Sequence, residues 1–272
     1  MSADAASLPT SDPEPRRASL AHGVVAYTDE GPADAPALIA LHGIPGSGRD
    51  FRYLAPQLLP VLRVLRVDLP GFGGSAPVTD AIRTLRGRAR VVLALADVLG
   101  IERFAVLGHS MGGGTALVLA ADHAARVRGL VLVASLALRL HRGLGAPPRT
   151  FAWVGHGLGV PGLRRLLLPW VRHEYRRRRF PGVDEKDAAA FARLLHALSA
   201  VDFELMRAAV RRPLPPALIA YARDDHMIET EVAEELAAAV PGARVVAFDD
   251  GGHNIQKTRA VELGAAIRQV CA

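Results

Sequence analysis

Six short apolar runs alternate with longer segments of helical pattern, and this alternation constrains the fold more than any other feature of the chain. The runs are Ala37–Leu41, Val61–Val67, Phe104–Leu107, Gly129–Ala134, Ala217–Tyr221 and Val245–Phe248. Each is bounded by Gly, Pro, Asp or charged residues, as buried strands are. Between them Ala81–Leu99, Ser110–Ala125, Glu229–Ala239 and Ile255–Val270 carry apolar stripes at helical spacing. Strand–helix–strand alternation predicts a parallel sheet covered by helices on both faces. The stretch around His22–Thr28 and before it suits an antiparallel hairpin at the sheet edge.

The alternation breaks once. From Leu136 to Arg212 no strand pattern occurs, and helical composition is interrupted by Gly143–Gly145, Pro147–Pro148 and Pro161–Gly162. The expected organisation is an α/β core over 21–135 and 213–272, with a helical cap inserted over 136–212. Residues 1–20, rich in Ala, Ser and Pro, read as a flexible tail. The chain is 272 residues long and 50% apolar, which suits one α/β domain with an insertion.

The net charge is +6 and arginine dominates the basic residues. Cys271 is the sole cysteine, so no internal disulfide and no cysteine-based metal site is expected. Asp4 and Asp12 interrupt any signal-like pattern at the start, and no run is long and apolar enough to span a membrane. A soluble, cytoplasmic protein without cofactor or metal is the expectation.

The strongest local signal is Gly108-His109-Ser110-Met111-Gly112. It follows the run Phe104–Leu107 and opens the small-residue pattern Gly113-Gly114-Thr115-Ala116. In a strand–turn–helix setting, Gly-x-Ser-x-Gly forms a nucleophile elbow. The glycines let strand and helix approach, and the helix start aims N–H groups where negative charge develops. A serine nucleophile needs a base, and the base an orienting acid. Asp225 and His253 follow in the order Ser, Asp, His, each just past a strand end, where an open parallel sheet gathers its ligand site. Asp224 is the rival acid.

Four ordered motifs resemble the α/β-hydrolase family, in its esterase, haloperoxidase-like and C–C hydrolase branch, over about residues 20–272. They are His42-Gly43-Ile44-Pro45-Gly46, Asp68-Leu69-Pro70-Gly71-Phe72-Gly73-Gly74-Ser75, the segment Gly108–Gly112, and Gly251-Gly252-His253. The resemblance implies an oxyanion hole from the backbone N–H groups of Ile44 and Met111. It also favours Asp225 over Asp224, because the family acid stands three residues before the position of Ile228. The family usually has glycine three positions before the acid, and here Ala222 stands there. Serine at the elbow argues against the aspartate chemistry of haloalkane dehalogenases and epoxide hydrolases.

These readings point to a Ser110–His253–Asp225 hydrolase acting on a small, apolar acyl substrate, a carboxylic ester first of all. Cofactor-free cleavage of a C–C bond in a dione is the alternative. A ligand-binding protein without turnover is the second alternative. His109, Trp153 and Trp170 are the expected substrate-binding residues, with Phe151 and Phe191 beside them or filling the cap core. The arginine-rich stretch Leu163–Phe180 reads as a solvated basic helix. Its sharper reading is a weak contact with an anionic membrane surface or an acidic substrate. No nucleic-acid motif accompanies the arginines.

Overall fold

The computed structural model describes residues 12–177 and 188–271. Among them, eight strands form one sheet: β1 Arg16–Leu20, β2 Gly23–Glu30, β3 Ala37–Leu41, β4 Arg63–Val67, β5 Phe104–His109, β6 Val127–Val133, β7 Ala217–Ala222 and β8 Arg244–Phe248. Their order across the sheet is β1-β2-β4-β3-β5-β6-β7-β8. β2 runs antiparallel to both neighbours, and every pairing from β4 to β8 is parallel.

The central strands are buried on both faces, and so they carry no polar alternation. Every residue of β3 is buried. Leu38 and Ala40 face one layer, with Phe51, Leu54, Leu263 and Ile267. Ile39 and Leu41 face the other, with Leu95 and Leu117. Period-two geometry thus feeds two cores from one apolar run.

The helices of the core are α1 Asp80–Arg83, α2 Leu85–Val98 and α3 Met111–Asp122 before the insertion. Inserted between β6 and β7 are α4 Pro148–Gly159, α5 Pro161–Arg177, α6 Ala188–Ser199 and α7 Phe203–Val210. α8 Thr230–Ala238, α9 Ile255–Thr258 and α10 Ala260–Cys271 complete the core. Two segments expected as single helices are each divided. Thr84 is extended (ψ 164°), and its hydroxyl accepts the Gly87 N–H at 3.0 Å, which starts α2 afresh. Arg259 leaves helical geometry (φ −125°, ψ 33°) between α9 and α10.

The flexible tail expected over 1–20 is corrected at its end. Arg16–Leu20 is β1, paired with β2 from Arg16 opposite Tyr27 to Leu20 opposite Gly23. Of its five residues Ala18 is the buried one, because an edge strand with one inward position looks polar in sequence. Just before it, Asp12 pairs with Arg66 at 2.7 Å and Arg49 at 3.1 Å. Residues 1–11 lie outside the described part of the chain.

Two arginines are buried in the core, in opposite states. Arg66 on β4 donates to Thr28 (3.0 Å), Glu30 (2.8 Å) and Asp12 (2.7 Å). Arg88 on α2 is 0% exposed, and none of its guanidinium nitrogens meets an acceptor among the described residues. Burial pushes its pKa down to about 10 from 12.5. A base held less readily protonated in the folded state than in the unfolded one loses stability below its unfolded pKa, neutral pH included. Arg88→Met keeps the stem and removes the charge. It should raise stability by about 1–3 kcal/mol, read as a higher urea midpoint at unchanged slope. A lower midpoint would contradict this account of Arg88.

Candidate active site

β5 is wholly buried and ends at His109. The chain then turns into α3 through Ser110, which holds φ 51° and ψ −119°. A positive φ in a residue with a Cβ is strained, and the surroundings hold it in place. Ser110 N–H donates to the Val133 carbonyl at 3.1 Å. Its carbonyl accepts from Gly113 (2.9 Å) and Leu136 (3.0 Å). The elbow is therefore stitched to β6 and to the chain beyond it. A Cβ on Gly112 would run into the Leu41 carbonyl, and one on Gly108 into the backbone of Gly112. These two glycines let β5, α3 and the end of β3 pack at backbone distance.

Sheet order brings the other loops here. β3 and β5 are neighbours, and the chain reverses direction across the sheet between them, at a topological switch point. The loop after β3 thus lies against the elbow: a Cβ on Gly43 would stand 2.9 Å from Ser110 Cβ. β7 and β8 are also adjacent. Past β7, Asp225 Oδ1 accepts the N–H groups of Met227 (2.7 Å) and Ile228 (3.1 Å). Past β8, Gly251 and Gly252 take φ 133° and 63°, and the chain turns back toward Ser110. Ser110 Oγ donates to His253 Nε2 at 2.9 Å, and His253 Nδ1 donates to Asp225 Oδ2 at 2.8 Å.

Electrostatics fits this chain of bonds. Burial alone would raise the Asp225 carboxyl, but the His253 hydrogen bond and charge, with the two N–H groups, hold it below its ordinary value. Asp224 is exposed and accepts the Gly252 N–H at 2.7 Å, so it caps the histidine loop from outside. Ser110, His253 and a buried carboxylate form an array able to deprotonate the serine as it attacks a carbonyl. Met111 is the first residue of α3, where helix N–H groups have no acceptor in a preceding turn.

Several supports surround this array: the sequence suggests His42 and the Asp68 turn, whereas the partners of Lys257 and His141 lie too far along the chain to be read from it. His42 accepts the Leu69 N–H at Nε2 (2.9 Å) and donates from Nδ1 to the Gly43 carbonyl (2.6 Å), tying the loop after β3 to that after β4. Asp68 accepts the N–H groups of Gly48 (2.7 Å) and Gly74 (2.8 Å). Lys257 and Asp50, 207 residues apart, pair at 2.6 Å beside the site. Behind the acid turn, the Met227 carbonyl accepts from Gly143 (2.7 Å) and from His141 Nδ1 (3.1 Å). Burial pushes His141 down to about 4.

The expected substrate-binding residues separate. His109 lines the cavity of about 50 Å³ at Ser110, together with Gly43, Ile44, His226, Asn254 and Lys257. Its Nε2–H, however, donates to the His253 carbonyl at 2.8 Å, so the ring clamps the histidine loop. Burial, with the nearby His253, pushes it down to about 3, and it stays neutral. Trp153 is corrected: it is 79% exposed on α4 and lines no part of the Ser110 cavity. Trp170 is half exposed and borders a second cavity of about 300 Å³ inside the inserted helices, with Phe151 and Phe191. That cavity shares no lining residue with the one at Ser110. His226 is exposed at the mouth, its ring 6.5 Å from that of His253. Cys271 is buried and its thiol is pushed up to about 12, which leaves it inert. Arg178 to Phe180 of the basic stretch lie outside the described residues. Among the described residues no three His, Cys, Asp or Glu side chains gather in a metal-holding group, and no helix is long and apolar enough to cross a membrane.

With this geometry in view, the chain belongs to the α/β hydrolase fold family, which matches residues 36–260. A putative carbamate hydrolase RutD of Pseudomonas savastanoi pv. phaseolicola is 30% identical over 238 residues, covering 81% of this chain and 88% of its own length. A 2-hydroxymuconate semialdehyde hydrolase of Pseudomonas sp. strain CF600 is 29% identical, covering 95% of this chain and 94% of its own. The crystal structure of an enol-lactonase from Burkholderia xenovorans LB400 superposes with a TM-score of 0.73 at 24% identity, over 94% of this chain and 99% of that one. The protein is thus a hydrolase of the α/β fold.

The close approach at the elbow is directly testable. Gly112→Ala forces a methyl group into the Leu41 carbonyl. It should destabilise the protein by about 1–3 kcal/mol or more, seen as a lower urea midpoint. Unchanged stability would show that β3 and α3 are not in backbone contact.

Proposed function

We propose that the protein is a serine hydrolase that cleaves a carboxylic ester through an acyl-enzyme intermediate. One observation carries the reading: the continuous hydrogen-bonded chain from Ser110 Oγ through His253 to Asp225 Oδ2, at 2.9 and 2.8 Å. In this reading Ser110 Oγ attacks the ester carbonyl carbon while its proton passes to His253 Nε2. The carbonyl oxygen becomes an oxyanion, held by the N–H groups of Ile44 and Met111. Collapse breaks the acyl C–O bond, and the leaving alkoxide takes the proton from His253. Water then gives a proton to His253, attacks the acyl carbon and releases the acid, and the proton returns to Ser110. Asp225, ionised and held by two backbone N–H groups, keeps Nδ1 of His253 protonated and stabilises the imidazolium.

The alternative is hydrolysis of a C–C bond in a dione, which the same three side chains serve. It is supported by the relative named 2-hydroxymuconate semialdehyde hydrolase, which aligns with 95% of the chain. The substrate remains a small molecule, with apolar groups favoured by the Ile44 and Met227 side of the cavity. A cytoplasmic location belongs to this reading and rests on the lone Cys271.

Steady-state kinetics on p-nitrophenyl esters of increasing chain length, a phenyl carbamate and a dione separate these. Ester turnover should fall about 10⁶-fold in Ser110→Ala and about 10⁴-fold in Asp225→Asn, with KM little changed. Dione turnover with inert esters selects the C–C reading. Ester turnover that survives Ser110→Ala overturns both.

A further inference from the structure

Both tryptophans of the chain lie on the inserted helices and neither is buried. Trp153 on α4 is 79% exposed; on α5, Leu166 is 75% exposed and Trp170 52%. Val160 at the α4–α5 junction and Leu163 are exposed as well. These five make up half of the large apolar side chains exposed among the described residues, within eighteen consecutive positions. Scattered single exposures are ordinary, whereas a concentration of this kind marks an interaction surface.

The arrangement is regular. Leu163, Leu166 and Trp170 stand at i, i+3 and i+7, which puts them on one face of α5. They cannot be its core-facing stripe, because Val171 and Tyr175 on the same helix are the buried residues. α5 therefore has two apolar stripes, one packed and one facing solvent, with Trp170 at the border between solvent and the cavity of about 300 Å³. Arginines accompany the outer stripe: Arg164 and Arg165 are exposed next to it. From Arg149 to Arg177 the chain has six arginines and a single acid, Glu174. Most of the +6 net charge is thus placed on these two helices.

We propose that the α4–α5 surface docks on an anionic lipid bilayer. Charge complementarity calls for an anionic partner. The two tryptophans with exposed leucine and valine call for one with an apolar layer under its charge, which a bilayer interface supplies. Arg164 and Arg165 meet headgroups while Trp153, Leu166 and Trp170 enter the headgroup–acyl boundary. The contact is peripheral and reversible, and it is independent of the reaction assigned to Ser110.

Because Trp153 and Trp170 are the only tryptophans, intrinsic fluorescence reads this surface directly. The full chain is titrated with phosphatidylcholine vesicles containing about 30 mol% phosphatidylglycerol, and with phosphatidylcholine alone. The expected result is a blue shift and co-sedimentation with the anionic vesicles, reversed by about 0.5 M NaCl. Arg164→Glu/Arg165→Glu and, separately, Leu163→Ser/Leu166→Ser should each weaken sedimentation about tenfold or more, with circular dichroism unchanged. The proposal is overturned if the wild type shows no anionic preference or if both variants bind like it. It is also overturned if the wild type forms dimers that Leu163→Ser/Leu166→Ser dissolves while vesicles leave the fluorescence unmoved; the surface then belongs to a second copy of this chain.

Discussion

Ser110 sits at φ 51°, a conformation that a residue with a side chain adopts only under constraint, and the rest of the site depends on that constraint. Its N–H is held by β6, its carbonyl by Gly113 and Leu136, and α3 leaves it at backbone contact with the end of β3. The strain is sustained by a sheet whose central strands are fully buried and resist local adjustment. A hydroxyl at the sharp point of a strand–helix turn is exposed to a cavity while everything under it is packed.

The loops around the elbow are tied to one another rather than to the elbow alone. His42 joins the segments after β3 and β4, and His109 fastens the loop that carries His253. Both imidazoles are buried and driven toward the neutral form, His42 through burial above all and His109 through burial with the nearby His253. Three histidines close in space therefore do different work. His42 and His109 act as neutral hydrogen-bonding braces, and His253, with Ser110 on one nitrogen and a carboxylate on the other, is the one placed to move a proton.

Much of this was legible in the sequence, for reasons that can be named. β3 announces itself as Ala37–Leu41 because a strand covered on both faces needs no polar residue. Ser110, Asp225 and His253 could be chosen because each follows a strand of one parallel sheet, and such strands end along one edge. The β1–β2 pair is the antiparallel edge hairpin expected around His22–Thr28 and before it, but the reach of β1 back to Arg16 is not legible, because Arg16–Leu20 has a single inward position, Ala18. The break at Thr84 is masked by the apolar stripe running through it, although a threonine at a helix start is an available signal. Trp153 reads as a pocket or core residue because it is an aromatic of the inserted cap, but α4 turns Phe151 and Leu158 inward and leaves Trp153 in solvent. The Lys257–Asp50 pair and the clamp from His109 depend on residues far apart in the chain, which no local pattern reports.

Covalent labelling measures directly whether Ser110 is the nucleophile. Folded protein is treated with a fluorophosphonate, weighed intact and mapped by peptide mass. One phosphonyl group per chain is expected, on the peptide containing Ser110, and none in Ser110→Ala. A folded protein that takes no label, or takes it on another residue and still does so in Ser110→Ala, would contradict that role of Ser110.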